Sequence, residues 1–223
     1  PNYRLGAFGF LGHRALRAEN PGNSTAGNYG LLDQQLALEW VRTHVADFGG
    51  DPNRITIAGQ SAGGLSVSLH LVAPGSDGLF DRAIMSGGFA SYRWRTREDG
   101  EAQGDAFATA LGCVDPAQVL ACLRGKTRDQ ILSALPTGTE QFAETTRTHW
   151  SPIVDGLIVP SQPRWLYEDG AFSRVPIIIG SNRDEGWTWV TRSFPGTMTE
   201  EQYESALASE FGADAAVILA AYP

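Results

Sequence analysis

The sequence predicts an α/β protein with a largely parallel sheet. Short β-branched runs alternate with longer segments in which apolar residues recur every three or four positions, and this alternation favours a parallel sheet flanked by helices. The run Val175–Gly180 carries no polar side chain, which is typical of parallel strands covered on both faces. Because no repeat, low-complexity tract or linker interrupts the 223 residues, we expect one domain over residues 1–223.

The remaining elements follow from apolar spacing and from turn-forming residues. The clearest helix is predicted over Tyr29–Phe48, where Gly49 and Gly50 supply the stop. Further helical segments are predicted at Ser61–Val72, at Arg97–Leu135 with breaks at Gly112, Pro116 and Gly125, and at Thr199–Glu210. Strands are predicted at Ile55–Ala58 and Arg82–Met85, with Pro1–Leu11 as a strand leading into a turn, Ala18–Asn28 as a loop and Ile153–Pro160 as irregular.

Charge and hydropathy limit the classes of partner. The formal net charge of −8 and the pI near 5.0 argue against a nucleic acid or an anionic membrane surface as a partner. No apolar run approaches the roughly 18 residues that a membrane-spanning helix needs, and no signal peptide is visible. Since the chain begins at Pro1 without an initiator methionine, we expect it to be a piece of a longer protein.

The two cysteines, Cys113 and Cys122, admit two interpretations. A bridge between them would close a loop of about ten residues and would stabilise the fold by somewhat under ~3 kcal/mol. Alternatively, they are two small buried thiols on a helical segment. Two thiols without clustered histidines do not form a zinc site, and we expect no bound metal and no cofactor.

The stretch Gly59–Gly63 (Gly-Gln-Ser-Ala-Gly) matches the G-x-S-x-G nucleophile elbow, with a predicted strand before it and a predicted helix after it. A serine hydroxyl is a weak nucleophile until a base takes its proton, so Ser61 must stand clear of the sheet. That position forces a strained turn, and we expect strand and helix to approach too closely for side chains at Gly59 and Gly63. The amide of Ala62 would then point at the oxygen that becomes negative in the tetrahedral intermediate.

A glycine-rich nucleotide-binding turn is the competing interpretation of this stretch. It is disfavoured because the G-x-G-x-x-G pattern is absent and no acidic residue ends a strand about 20 residues further on. The sequence Gly125-Lys126-Thr127 is similar to the end of a phosphate-binding loop, but position 120 is Leu where that motif requires Gly.

Longer motifs resemble those of the type-B carboxylesterases, the group that includes para-nitrobenzyl esterases and cholinesterases. In family order they are Asn2–Leu11, Gly27–Gln34, Ala37–Val41, Phe48–Pro52, the elbow, Arg82–Gly87, the cysteine pair, Pro152–Gly156 and Asn182–Gly186. The resemblance covers nearly the whole chain. It implies an α/β-hydrolase fold that is incomplete at both ends, and a cofactor-independent hydrolase whose substrate is a small carboxylic ester.

The resemblance also implies roles for particular residues. Ser61 would be the nucleophile, Glu185 the acid of the catalytic triad, and Ala62 a donor to the oxyanion. Cys113 and Cys122 would form a disulfide, which would suit a secreted or periplasmic protein. The substrate pocket would be lined by Ser86, Phe89, Trp187, Thr188 and Trp189. From the residues alone, Glu185 is a solvated loop carboxylate, and ordinary packing accounts equally for Phe89 and Trp187.

A catalytic histidine is missing from the expected place, because none of the four histidines follows Glu185. His13, His44, His70 and His149 are interpreted as surface or packing residues, so the base and the upstream oxyanion segment are expected outside this chain. We therefore expect a serine carboxylic-ester hydrolase whose isolated 223 residues have little activity. The alternatives are a non-catalytic, neuroligin-like adhesion protein on the same fold, or a lipase-like member of the family.

Overall fold

The computed structural model of the chain describes residues 1–19, 26–88, 92–135, 150–187, 190–191 and 196–222. These residues form two compact units, over residues 1–180 and 181–223. The five strands of the described part all lie in the first unit. They are β1 (Thr56–Gln60), β2 (Arg82–Ser86), β3 (Arg95–Thr96), β4 (Ile153–Val154) and β5 (Ile177–Gly180).

Strands β1, β2 and β5 form a parallel sheet in the order β1-β2-β5. In this register Gln60 lies opposite Ser86, and Ser86 lies opposite Gly180, so the carboxyl ends of the three strands meet at one edge. That edge is where open parallel sheets bind their ligands. Strands β3 and β4 form a separate parallel pair.

Helices make up most of the remaining regular structure of both units. Those of the first unit are α1 (Gly6–Phe10), α2 (Arg14–Ala18), α3 (Tyr29–His44), α4 (Ala62–Val72), α5 (Arg97–Ala110), α6 (Val119–Arg124), α7 (Arg128–Ser133) and α8 (Pro163–Glu168). The second unit contains α9 (Glu200–Phe211) and α10 (Ala215–Ala221). No helix formed by the described residues combines the length and the apolar character that crossing a membrane demands.

Helix α4 lies between two apolar clusters. One cluster joins it to the sheet and contains Ile55, Ile57, Val67, Leu71, Phe80, Ala83 and Met85. The other lies on its opposite side and contains Leu31, Leu69, Trp94, Ile158 and Val159. Every residue from Val67 to Val72 is buried as a result. The position of α4, and of the turn that precedes it, is therefore fixed by packing on both sides.

Two buried polar side chains pin irregular backbone to the core. Asn28, only 1% exposed, donates to the Ile153 carbonyl oxygen at 2.9 Å and accepts from the Ile153 N–H at 3.0 Å. Asp155 is equally buried, and its Oδ1 accepts from the N–H groups of Leu157, Ile158 and Val159. These bonds satisfy backbone groups that no strand partner reaches.

The predicted strand over Pro1–Leu11 is wrong, because Gly6–Phe10 forms α1. Gly6 has φ +56°, and a Cβ at Gly9 would lie 2.1 Å from the Arg4 carbonyl oxygen, so the chain folds back on itself. The Arg4 backbone N–H and guanidinium both donate to Asp33 on α3 at 2.6–2.9 Å and anchor this turn. The alternating aromatic residues belong to a short helical turn and not to an extended strand.

The prediction that Val175–Gly180 is covered on both faces is also wrong. Strand β5 has the predicted parallel pairing, but Ile177, Ile178 and Ile179 are 37%, 66% and 57% exposed. Within the described part of the chain β5 pairs with β2 alone, so it is an edge strand there. A run of isoleucines indicates a strand with no polar face. Whether those faces are buried depends on which other elements pack against the strand.

Other elements agree with the predictions apart from their limits. The helix predicted over Tyr29–Phe48 is α3 followed by a 3₁₀ turn at Val45–Phe48, and Phe48 is exposed although it continues the apolar spacing. The region Ile153–Pro160 contains the two-residue strand β4 besides its irregular part. Helices α2, α8 and α10 and strand β3 were not predicted.

The disulfide that the family resemblance implied is confirmed, since Cys113 and Cys122 are bonded. It joins the end of α5 to α6 within a cluster that also contains Ala108, Val119 and Leu123. This part of the helical region is therefore held by a covalent bond as well as by packing.

Replacing Asn28 should show how much the fold depends on its amide. We expect Asn28→Ala to lower the free energy of unfolding by about 2–4 kcal/mol, because it leaves both backbone groups of Ile153 buried without partners. Asn53→Ala, in the exposed turn at Asp51–Arg54, is the matched control and should change it by less than about 0.5 kcal/mol. Urea unfolding followed by circular dichroism measures both. Equal effects of the two substitutions would contradict this role of Asn28.

Candidate active site

Ser61 lies in a strained turn between β1 and α4. Its φ is +52° and its ψ is −119°. Among the residues that the structure describes, no other residue except glycine has a positive φ. Such a conformation costs roughly 1–3 kcal/mol and persists only where neighbouring bonds enforce it. Here the Ser61 N–H donates to the Ser86 carbonyl oxygen, and the Ser61 carbonyl oxygen accepts from the Leu65 N–H, each at 2.9 Å.

Close backbone contacts around this turn exclude side chains at specific positions. A Cβ at Gly59 would lie 2.1 Å from the carbonyl oxygen of Gly63, and one at Gly88 would lie 2.6 Å from that of Ser61. The expectation that Gly63 also lacks room is wrong, since a Cβ there would meet nothing within 4 Å. Gly63 contributes to the crowding through its backbone, which the Cβ at Gly59 would strike.

The turn presents Ser61 and Ala62 to solvent, since both residues are exposed. Ala62 is the first residue of α4, so no carbonyl oxygen within the helix accepts its N–H. The positive end of the α4 dipole lies at the same place. The backbone around Ser61 can therefore offer a hydrogen bond to a negative oxygen that forms beside the serine hydroxyl.

A hydrogen-bonded chain of side chains runs from the start of α4 into the core. Ser66 Oγ donates to the Ala62 carbonyl oxygen at 3.0 Å and accepts from Gln34 Nε2 at 3.3 Å. Gln34 Oε1 in turn lies 2.8 Å from Nε2 of His70. Gln34 thus joins α3 to two points on α4.

The same chain continues beyond the imidazole. His70 Nδ1 lies 2.9 Å from Ser76 Oγ, and Gln35 Nε2 donates to that Oγ at 2.9 Å. One tautomer satisfies every contact: Nε2–H donates to Gln34, and Nδ1 accepts from Ser76. Burial lowers the pKa of His70 to about 4, so the ring is neutral at neutral pH.

The remaining predicted site residues lie in several places. Ser86, also exposed, ends β2 beside the elbow and supplies the carbonyl oxygen that holds Ser61. Glu185 and Trp187 belong to the second unit, where both are exposed. Glu185 Oε1 accepts from the Asn182 N–H at 2.7 Å, which fixes the carboxylate within its own turn. Phe89, Thr188 and Trp189 lie outside the described residues.

Three of the four histidines have identifiable structural surroundings. His13 caps α2 by accepting from the Ala15 N–H and also lies 3.2 Å from Asp105. His44 stacks on Trp40 with ring centroids 5.0 Å apart. His70 is enclosed in the network above, and His149 lies outside the described residues. No imidazole of the described part forms a hydrogen bond to the Ser61 hydroxyl.

The model of the carboxylesterase family matches residues 1–220 of this chain. The chain belongs to the carboxylesterase family. The resemblance to type-B carboxylesterases that its motifs suggested is confirmed.

Individual carboxylesterase relatives are similar over most or all of the chain. A cholinesterase of Mus musculus is 39% identical over 204 residues, which cover 87% of this chain and 32% of that protein. A fumonisin B1 esterase of Sphingopyxis macrogoltabida is 34% identical over 222 residues, covering 100% of this chain and 39% of that one. A solved PNB esterase structure matches with a TM-score of 0.78 at 35% identity, covering 100% of this chain and 46% of its own. This likeness confirms the α/β-hydrolase fold, while the chain spans less than half the length of these three relatives.

Two features of the site escaped the sequence prediction. Gly88 packs against the Ser61 carbonyl oxygen, and its only signal was the Ser86-Gly87-Gly88 run after a strand. The link from Gln34 to His70 joins two helices, and its only signal was a polar residue within the apolar stripe of α3. Both features depend on contacts between segments distant in sequence.

The two elbow glycines should respond oppositely to a methyl group. Gly59→Ala should lower the free energy of unfolding by about 3 kcal/mol or more, since its Cβ would strike the Gly63 backbone. Gly63→Ala lies in helix α4 facing open space and should be neutral or stabilising by up to about 1 kcal/mol. Urea unfolding of the two variants measures the difference. Equal destabilisation would contradict the contact geometry at Gly59.

The buried imidazole should make stability depend on pH in a definite direction. The pKa of His70 is about 4 in the folded chain and about 6.5 when unfolded, so between these values the unfolded chain binds a proton that the folded chain does not. Above pH 6.5 the ring is neutral in both states, so His70 does not change the free energy of unfolding. As the pH falls from 6.5 to 4, the free energy of unfolding decreases by about 3 kcal/mol because of His70. Unfolding titrations at several pH values measure this slope.

A variant isolates the His70 contribution from that of the carboxylates. His70→Gln should be less stable at neutral pH but should lose less stability than the unsubstituted chain between pH 6.5 and pH 4. Asn53→Ala, which changes no titratable group, is the control and should leave the slope unchanged. A slope that is the same in all three proteins would show that His70 is not responsible.

Proposed function

We propose that this chain carries the nucleophile and the acid of a serine carboxylic-ester hydrolase, namely Ser61 and Glu185. The observation that supports Ser61 most directly is its strained, exposed position between β1 and α4, in a chain of the carboxylesterase family. The fold maintains this conformation through the bonds of Ser61 to Ser86 and Leu65. Strain at a residue with an exposed hydroxyl is a feature of nucleophile elbows.

In this mechanism Ser61 Oγ attacks the acyl carbon of the ester while a histidine accepts the hydroxyl proton. The carbonyl oxygen becomes negative, and the N–H of Ala62 donates to it. Collapse of the tetrahedral intermediate breaks the bond to the alkoxy oxygen, which leaves as the alcohol with the proton from the histidine. Water then attacks the acyl-serine with the same histidine as base, and the carboxylic acid is released.

Glu185 would orient this histidine and stabilise its protonated form. The carboxylate lies in a turn that follows β5, and its bond to the Asn182 N–H gives it a defined orientation within that turn. An oriented carboxylate favours the imidazole tautomer that can accept a proton from serine. Its position in the chain after the nucleophile agrees with the order of α/β-hydrolase triads.

The histidine is proposed to lie outside these 223 residues. Both ring nitrogens of His70 already form hydrogen bonds, and His13 caps a helix. A general base works best when its pKa is close to the working pH, whereas the pKa of His70 is about 4. Each of the three relatives compared above is more than twice as long as the part of it that matches this chain.

The substrate is proposed to be a carboxylic ester of a small molecule. The named relatives include a cholinesterase and a fumonisin B1 esterase, two enzymes whose names refer to different substrates. Their common chemistry is the carboxylic ester bond, and that is what we assign to this chain. A lipase-like preference for long acyl chains would change the shape of the pocket and not the mechanism.

Substitution of Ser61 tests the nucleophile in the full-length protein. We expect Ser61→Ala to lower kcat for para-nitrophenyl butyrate by about 10⁴-fold or more, because no other group can form the acyl-enzyme. Ser133→Ala, an exposed serine at the end of α7, is the matched control and should retain full activity. Retained activity in Ser61→Ala would reject the assignment.

The isolated chain provides a second measurement. Its 223 residues should hydrolyse the same ester weakly or not at all if the base lies elsewhere. Strong turnover that Ser61→Ala abolishes would instead implicate one of the four histidines of this chain. A full-length protein that folds but has no esterase activity would favour a non-catalytic binding protein on the same fold.

A further inference from the structure

A cavity of about 300 Å³ opens among helices α1, α2, α5, α6 and α7 of the first unit, and none of its lining residues belongs to the elbow. Eight of the lining positions are aliphatic or aromatic, including Phe8 of α1, Leu16 of α2, Phe107 of α5 and Ile131 of α7. The volume is at the small end of the range of roughly 300–1,000 Å³ that is usual for sites of small molecules. Such a cavity suits one short apolar chain.

Two cationic side chains, Arg124 and Lys126, also line the cavity. Arg124 is already neutralised, because its Nη1 and Nη2 lie 2.5 Å and 2.7 Å from the two carboxylate oxygens of Glu19. Lys126 is the single lysine of the sequence, and no hydrogen bond or ion pair joins its ammonium to another residue that the structure describes. Asp129, close by in sequence, is paired with Arg128 at 2.8 Å. Lys126 thus carries the uncompensated positive charge at this cavity.

We propose that the cavity binds a medium-chain carboxylate, with the alkyl chain between the apolar walls and the carboxylate against the ammonium of Lys126. Apolar walls favour an alkyl chain because its transfer from water is favourable in proportion to the area buried. A single ammonium selects one anionic head group, and the net charge of −8 disfavours ligands that carry several negative charges. Binding here is independent of hydrolysis by Ser61, so it can be measured whether or not the chain cleaves esters.

A chain-length series tests the apolar part of this site. The chain is titrated calorimetrically with hexanoate, octanoate and decanoate below their micellar concentrations. Each added methylene should lower Kd by about fourfold while the cavity has room for it, because burying a methylene contributes about 0.8 kcal/mol. Kd values that do not change along the series would overturn the proposal.

Variants at Lys126 test the polar part. Lys126→Gln should raise the Kd of decanoate by roughly tenfold, whereas Lys126→Arg keeps the charge and should stay within about threefold of the unsubstituted chain. Arg54→Gln removes an exposed charge that does not line the cavity, and should leave Kd unchanged. Unchanged affinity in Lys126→Gln, or an equal loss in Arg54→Gln, would overturn the assignment.

A labelling experiment locates the ligand without any substitution. Because Lys126 is the single lysine, its acetylation by acetic anhydride can be followed by mass spectrometry of one peptide. Saturating decanoate should slow this reaction at least fivefold, while decanol at the same concentration should slow it much less. Equal protection by the alcohol, or no protection by decanoate, would contradict a carboxylate bound at this amine.

Discussion

The contact between Gly59 and the Gly63 backbone is the constraint on which the rest of this fold depends. It lets β1 turn into α4 within one residue, and that residue, Ser61, takes up the strain. Hydrogen bonds on both sides offset this strain. The Ser61 N–H donates to the carbonyl oxygen of Ser86 at the end of β2, and the Ser61 carbonyl oxygen accepts from the Leu65 N–H. If Ser61 is the nucleophile, as we propose, its position is set before any substrate binds.

Helix α4 can hold the turn because it is itself immobilised on two sides. Val67 and Leu71 pack towards the sheet, while Leu69 packs on its other side with Leu31 of α3. The buried bonds of Gln34 tie the same two helices together through polar contacts. Apolar packing between the helices buries surface area. The hydrogen bonds restrict how the two helices are oriented, because they allow fewer relative positions than close packing alone.

What the sequence could predict depends on how local the determining contacts are. The elbow was predictable because strand, glycine, serine and helix occur within a few residues, and the strain at Ser61 follows from that order. The role of Gly63 was not, since only the structure reveals that its Cβ direction is open and that Gly59 is the crowded position. The exposure of Ile178 and the bond between Gln34 and His70 depend on elements far apart in sequence, on which a local pattern carries no information.

A structural histidine and a catalytic base differ in their hydrogen bonds and in their pKa. A catalytic base must be able to gain a proton, so it needs a free ring nitrogen and a pKa near the working pH. His70 has neither, because both nitrogens are bonded and burial has lowered its pKa to about 4. The surroundings that make it a good link between α3 and α4 are the ones that make it a poor base. The fold therefore holds this histidine in its neutral form at neutral pH, and the base that we propose for Ser61 would need an imidazole with different surroundings.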